Sequence, residues 1–167
     1  MVAVACATDT AEEEVAVEEE HDHSDESTLE MVLERGFVKC GVSGSATAFS
    51  ETGADGSITG FDADYCYAVA AALFGDYSKV EFKSLTSAER FTSLAAGDID
   101  VLIRNTTWTQ SRDTELGNDF GPTTYFDGQQ LMGRNSDGIS SSSTLADIDG
   151  LSVCTNAGTA TEKNITE

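Results

Sequence analysis

The stretch Lys79–Ile103, KVEFKSLTSAERFTSLAAGDIDVLI, decides the fold. Its first six residues alternate, with Val80 and Phe82 apolar, which is the period of a strand. Thr86 and Glu89 then stand at the spacing of a capping box. That predicts a helix with Phe91, Leu94 and Ala95 facing inward and Gly97 at its end. Ile99–Ile103 is a short apolar run, read as a buried strand. Strand, helix and strand at this spacing make a βαβ crossover, and hence a parallel sheet covered by helices.

Working outward, the same grammar continues. Met31, Val32 and Leu33 followed by Arg35-Gly36 read as a short helix stopped by glycine. Phe37–Val42 is a β-rich run, followed by a loop from Ser43 to Ala48. Glu51–Ser57 is dense in turn residues between short apolar pieces, which predicts a hairpin. A helix then opens with Asp62 or Asp64 as cap, with Phe61, Tyr65, Val69, Ala72 and Leu73 on one face, and ends at Gly75. Downstream, Thr124–Arg134 reads as an extended connector, and Ser136–Asp149 is Ser- and Asp-rich with a short helix at Thr144–Ile148. Leu151–Thr155 reads as a further strand, and Gly158-Thr159 as a turn entering a helix. That second unit is expected to be cut at Glu167.

Composition narrows the function. The chain of 167 residues carries 30 acidic and 9 basic residues, a net charge of -21. Phosphate binding needs clustered Lys and Arg, so nucleic acid is excluded as a partner. Residues 9–30 hold 11 of the acids and no base. A like-charge block without aromatics buries too little apolar surface to offset its ordering entropy, so residues 1–28 read as an acidic disordered tail. No run approaches the roughly 18 apolar residues of a membrane helix.

Four cysteines stand at 6, 40, 66 and 154, with no CxxC pair to suggest structural zinc. Cys40 and Cys66 are read either as a disulfide or as buried free thiols. Cys6 follows a small apolar run and precedes the polar tail, as at a lipoprotein cleavage site; the rival reading is an ordinary N-terminal cysteine. His21-Asp22-His23 resembles a metal-binding triplet, but a solvated charge run in the tail is the better reading. No metal or cofactor is expected. Both histidines lie in the tail, and no Ser/His/Asp set or Gly-rich phosphate loop exists, so catalysis by these routes lacks its parts.

Ligands of parallel sheets bind beyond the carboxyl ends of the strands. That rule points to Ser43–Phe49, Leu85–Arg90 and Arg104–Arg112. In the last, Thr109 is a good N-cap, which places Arg112 in the first turn of a helix. A cation there opposes the helix dipole unless an anion is shared between the two. A carboxylate fits best, because guanidinium grips it with two parallel hydrogen bonds. Asn105 and Thr107 add polar groups nearby. The plain alternative is an exposed arginine paired with Asp113 or Glu115. Ser87 and Arg90 open the preceding helix under the same argument, against a surface pair with Glu89. Phe49 is read as core or as ligand wall.

The segments KCGVSGSATAFSE (39–51), GSITGFDADYCYAVAAALFG (56–75), VEFKSLTSAERFTSLAAGDIDVLIRNTTWTQSRD (80–113) and LADIDGLSVCTNAGTATE (145–162) together resemble the polar amino-acid solute-binding proteins, family 3, of ABC importers. The likeness is nearest to the general L-amino-acid-binding branch and runs from about Gly36 to Glu167. It implies a type II periplasmic-binding fold in which two α/β lobes close over one amino acid. On that pattern residues 29–127 are the first lobe, 128–135 the hinge, and 136–167 the start of a truncated second lobe.

By position, the resemblance has Arg112 clamp the ligand α-carboxylate, helped by Thr107 and by main chain near Asn105. Ser87 and Arg90 contact the ligand side chain in relatives that bind acidic amino acids. Ser43, Ala46 and Phe49 fall on the first pocket loop, and Gly158, Thr159 and Thr161 on the loop of the second lobe. Ala46 replaces an aromatic lid, and Ala160 stands where a hydroxyl residue is usual. The implied protein is a monomeric, extracytoplasmic receptor, lipid-anchored if Cys6 is modified. It hands a polar, acidic or broadly chosen L-amino acid to a membrane permease. Sensor modules and dehydratases of the same fold are the alternative.

Overall fold

The computed structural model of the protein describes residues 27–166. Residues 1–26 of the expected tail, with Cys6 and the His21/His23 pair, lie outside the described residues; its last two, Ser27 and Thr28, are ordered instead, because they cap and open a helix. The first element is helix α1, Thr28–Arg35. Ser27 caps it reciprocally: its Oγ accepts from Glu30 N at 3.3 Å, and its own N–H donates to the Glu30 carboxylate at 2.9 Å. The helix ends at Gly36, whose N–H returns to the Val32 carbonyl at 3.0 Å. Two orphan donors at the start are thereby satisfied within four residues.

The parallel sheet has three strands. Strand β1 (Val38–Val42) is central; β2 (Ser45–Ala46), β3 (Ser50–Thr52) and β4 (Ile58–Thr59) form a small separate antiparallel sheet; β5 (Val80–Ser84) and β6 (Val101–Leu102) flank β1 in the order β5-β1-β6. Cys40 pairs with Phe82 on one side and Val101 on the other. Helix α2 (Phe61–Phe74) links β1's side of the molecule to β5, and α3 (Arg90–Ala95) links β5 to β6. This is the βαβ arrangement read from 79–103. The predicted hairpin is β3–β4, with Glu51 opposite Thr59. Strand β2, only two residues long, falls in the segment read as loop; two residues are too few to carry a period.

The inner face of α2 differs from the one expected. Ala63, Cys66 and Ala70 are buried completely, Tyr65 is exposed, and Phe61, Val69 and Leu73 are half-buried. The stripe is turned by about one residue because Cys66 is joined by a disulfide to Cys40 of β1. Small residues along that line let the helix lie close to the sheet, over a core of Cys40, Val42, Ile58, Ala63 and Cys66. The two-way reading of Cys40 and Cys66 is thus resolved as a disulfide; Cys154 is free and exposed.

Neither Asp62 nor Asp64 caps α2. Gly60 holds the N-cap position without any side-chain bond, at φ 121°. A Cβ there would sit 2.6 Å from the Phe49 carbonyl oxygen, so only glycine fits. Asp62 is instead buried at 4% exposure, with its Oδ2 lacking a hydrogen-bond partner. Burial raises its pKa, and Arg104 opposes that rise.

Asp98 and Asp100, just before β6, both form ion pairs. Asp98 bonds Lys83 Nζ at 2.7 Å in the open, a contact worth little. Asp100 does more. Its Oδ2 accepts from Arg35 Nη2 and, at 2.7 Å, from Lys39 N, which ties the end of α1 to the sheet. Charge-assisted hydrogen bonds contribute about 1.5–3 kcal/mol where solvent is partly excluded. Asp100→Ala should therefore lower unfolding free energy by about 2 kcal/mol in urea titrations; a loss under about 0.5 kcal/mol would mean that the tie is solvated.

Beyond β6 the described residues hold helix α4 (Gln110–Glu115), 3-10 turns at Asn135–Asp137 and Leu145–Ile148, and helix α5 (Ala160–Thr166), but no strand. The strand expected at Leu151–Thr155 is unpaired there, with Leu151 49% and Val153 43% exposed. Its composition is that of a strand, but a strand exists only through neighbours, and none lies beside it among the described residues. The short helix expected at Thr144–Ile148 is the second 3-10 turn, closed by Thr144 and Asp147 bonding reciprocally.

Candidate functional site

Strand order β5-β1-β6 places the ends of β1, β5 and β6 side by side. Leu85 N donates to Val42 O, and Ile103 N to Gly41 O, both at 2.9 Å, so the ladder carries on into the loops that follow. Past these ends lies a cleft of about 600 Å³, whose walls include Ser43, Ala46, Ser87, Arg104 and Asn105, with Asn156 and Ala157 across from them. It stands where the strand-end rule points.

Arg90 is the first residue of α3 and is 1% exposed. Its Nη1 donates to Asn105 O at 3.1 Å and to Thr106 Oγ1 at 3.4 Å; its Nη2 donates to Gly158 O at 3.2 Å. Its Nε finds no partner. Burial, with Arg112 and Arg104 close by, lowers its pKa to about 10, so it stays charged at neutral pH.

Arg112 lies on α4, where Thr109 Oγ1 accepts from its backbone N–H at 3.3 Å, as the sequence predicts. Its Nη1 donates to Thr107 O at 2.8 Å and its Nη2 to the same Gly158 carbonyl at 3.2 Å. Both guanidinium carbons stand over the Phe91 ring, at 5.0 and 5.1 Å from its centroid. Phe91, expected in the core, is half-buried and forms the floor under two cations.

The rival pairings do not form. Arg112 bonds carbonyls rather than Asp113 or Glu115, and Glu89 bonds Thr86 rather than Arg90. The Thr86–Glu89 box itself is made, with Glu89 Oε2 2.6 Å from Thr86 Oγ1, although α3 proper begins only at Arg90. Arg104, which sequence reading left unassigned, is the third cation. It donates to Leu85 O at 2.6 Å, to Ser87 Oγ at 3.1 Å, and to Asn105 Oδ1. Its position directly after an apolar strand was the available signal.

The remaining sequence candidates divide. Ser43 lines the cleft, held by its N–H on Ser50 Oγ at 3.2 Å. Thr107 enters through its carbonyl. Gly158 is the meeting point: its carbonyl takes Arg90 and Arg112, and its N–H donates to Glu162 Oε2 at 2.8 Å. Thr159 caps α5, accepting from Glu162 N at 3.1 Å. Thr161 lies inside α5, half-buried. Phe49 is not on the wall of this cleft; its ring packs edge-on against Phe61 at 5.8 Å and Tyr125 at 5.1 Å.

Arg104 lines the cleft, while Arg90 and Arg112 are not on its wall, Arg90 being joined to it through the Asn105 carbonyl; together these guanidinium groups and main-chain dipoles are suited to holding an anion. The sequence pattern of the bacterial extracellular solute-binding proteins, family 3, matches residues 38–164. The chain belongs to that family. Among family 3 relatives, it is 48% identical over 141 residues to the general L-amino acid-binding periplasmic protein AapJ of Rhizobium johnstonii, covering 84% of this chain and 40% of that one. It is likewise 48% identical to the glutamate/glutamine/aspartate/asparagine-binding protein BztA of Rhodobacter capsulatus, covering 84% and 41%.

A solved periplasmic binding protein of an ABC transporter from Brucella ovis, with glutathione bound, aligns at TM-score 0.75 and 48% identity. The alignment covers 84% of this chain and 43% of that one. The family 3 fold is the type II periplasmic-binding fold, of which this α/β chain covers part. The chain spans about 40% of the length of the two relatives AapJ and BztA.

Proposed function

We propose that the protein is an extracytoplasmic receptor that captures a free L-amino acid and delivers it to an ABC importer. One observation carries the reading: Arg90 and Arg112 converge on the Gly158 carbonyl, and among the described residues neither is neutralised by a carboxylate. A carbonyl oxygen is a weak stand-in for the anion that such a pair recognises. In this reading Arg112 grips the α-carboxylate, with the Thr107 and Asn105 main chain beside it. Ser87, Ser43 and Arg90 face the side chain, and the Gly158–Thr161 segment closes from the second lobe. The residues 29–127, 128–135 and 136–167 serve as lobe, hinge and second-lobe start. Closure moves the ligand's ion pairs out of water and presents a new surface to the permease.

The reading involves binding without chemistry. Relatives such as AapJ and BztA are named as binding proteins. The carboxylate on the cleft wall, Glu89, has its pKa lowered by the Thr86 side chain and backbone, which keeps it ionised and unsuited to donating a proton at neutral pH. The receptor acts as a monomer, anchored by lipid at Cys6 if that residue is processed. The test is calorimetric titration of the common L-amino acids into the protein at its native full length. Saturable heat from at least one, and none from its D-enantiomer, is expected; heat from none would end the proposal.

A further inference from the structure

Arg104 does something that the capture of an α-carboxylate does not use. One end of its guanidinium is fixed, because Nη1 donates to the Leu85 carbonyl at the mouth of β5, at 2.6 Å. The opposite edge is arranged differently. Nε and Nη2 both donate to a single acceptor, Asn105 Oδ1, at 3.1 and 2.9 Å, and Nη2 also reaches Ser87 Oγ at 3.1 Å. An Nε–Nη2 edge clasping one side-chain oxygen is a fork set for a carboxylate and occupied by a neutral amide.

The setting favours exchange of that amide. Asn105 is exposed, Ser87 is half-buried, and all three residues line the cleft, so both acceptors can swing away without opening the core. No internal anion takes the fork. Asp62 attracts Arg104 electrostatically but makes no ion pair with it, and its Oδ2 stays unpartnered in the interior. Arg104 lines the cleft itself, and Arg90, which feels the charge of both Arg104 and Arg112, bonds the Asn105 carbonyl on the cleft wall, in a chain of net charge -21. One ligand carboxylate on Arg112 leaves Arg104 with only neutral oxygens.

We propose that Arg104 is a specificity-determining residue of this site, whose Nε–Nη2 edge receives a second carboxylate of the ligand. The inference rests on the amino-acid receptor reading above and adds its substrate class: molecules that carry an α-amino acid group and a further carboxylate. Free acidic amino acids and γ-glutamyl peptides share that chemistry.

The experiment compares wild type with Arg104→Gln and Arg104→Lys, at native full length, by calorimetry with L-glutamate, L-glutamine, L-aspartate, L-asparagine and reduced glutathione. A bidentate charged contact makes the expected loss for L-glutamate or glutathione about 30-fold in Arg104→Gln, against under about 3-fold for L-glutamine. Arg104→Lys should recover part of the lost preference, since it restores the charge without the fork. A loss seen with L-glutamate assigns the second carboxylate to a free amino acid; a loss confined to glutathione assigns it to a peptide.

Equal losses for acid and amide ligands would make Arg104 a positioning residue for the loops and overturn the proposal. So would unchanged affinities, or a wild type that binds amides better than every dicarboxylate. Binding of no amino acid by the wild type would sink the receptor reading itself, a distinct result. Thermal scans of each variant separate a folding defect from a binding one.

Discussion

Arg112→Ala is expected to weaken binding of every amino-acid ligand by about 100-fold or more, with the fold retained. Removing one partner of a desolvated, hydrogen-bonded charge pair costs about 2–5 kcal/mol, much of it because the other charge is left buried alone. Among the described residues the same guanidinium bonds the Thr107 and Gly158 carbonyls, at 2.8 and 3.2 Å, and Arg112 belongs to neither core cluster. Its loss should therefore change the melting temperature little. Arg112→Lys discriminates further: it keeps the charge and loses the two-pronged geometry, so it should fall between wild type and alanine. Calorimetry with the best ligand of the wild type is the measurement. An alanine variant that still binds within threefold of wild type, roughly 0.6 kcal/mol, would remove Arg112 from the site.

The second large effect is on stability. Cys40 and Cys66 close a loop of 26 residues between the central strand and its covering helix, and both are fully buried. Constraining the unfolded chain over such a loop contributes about 3.5 kcal/mol in the chain-entropy treatment. The double variant Cys40→Ala/Cys66→Ala should lose about that much in guanidinium unfolding, plus the two sulfurs' packing. Burial adds a kinetic signature: reductant should leave the native protein intact and trap it once it unfolds. A variant within about 1 kcal/mol of wild type would show that the bond constrains nothing of consequence.

Much of the first half of the fold is written locally. The hairpin turn Gly53–Ser57 forms as read, and Ser27 with Glu30, although the sequence reading puts Ser27 in the tail, also specifies its structure within a few residues. What failed depends on partners distant in the chain. The inward face of α2 is set by Cys66 meeting Cys40, while Phe61 turns to an aromatic group with Phe49, Tyr65 and Tyr125. No periodicity encodes that choice. Leu151–Thr155 has strand chemistry, but pairing is a property of two segments. The site shows the same division. Arginines at helix starts are legible because a cation there is anomalous; the shared carbonyl of Gly158 lies 46 and 68 residues from its two donors and is not.

The position of β1 in the middle of its sheet has a bearing on how the chain assembles. It is the first strand in chain order among the described residues, yet its register partners arrive late: Phe82 follows Cys40 by 42 positions and Val101 by 61. Until then both edges stay bare, and no hairpin can seed the sheet. Once oxidised, the Cys40–Cys66 link gives a shorter route, since Phe82 is only 16 positions past Cys66. Closing the shorter ring saves about 0.9 kcal/mol of loop entropy, enough to speed docking of that strand about fourfold. The crosslink thus works as a folding scaffold for the sheet as well as a brace on the finished one.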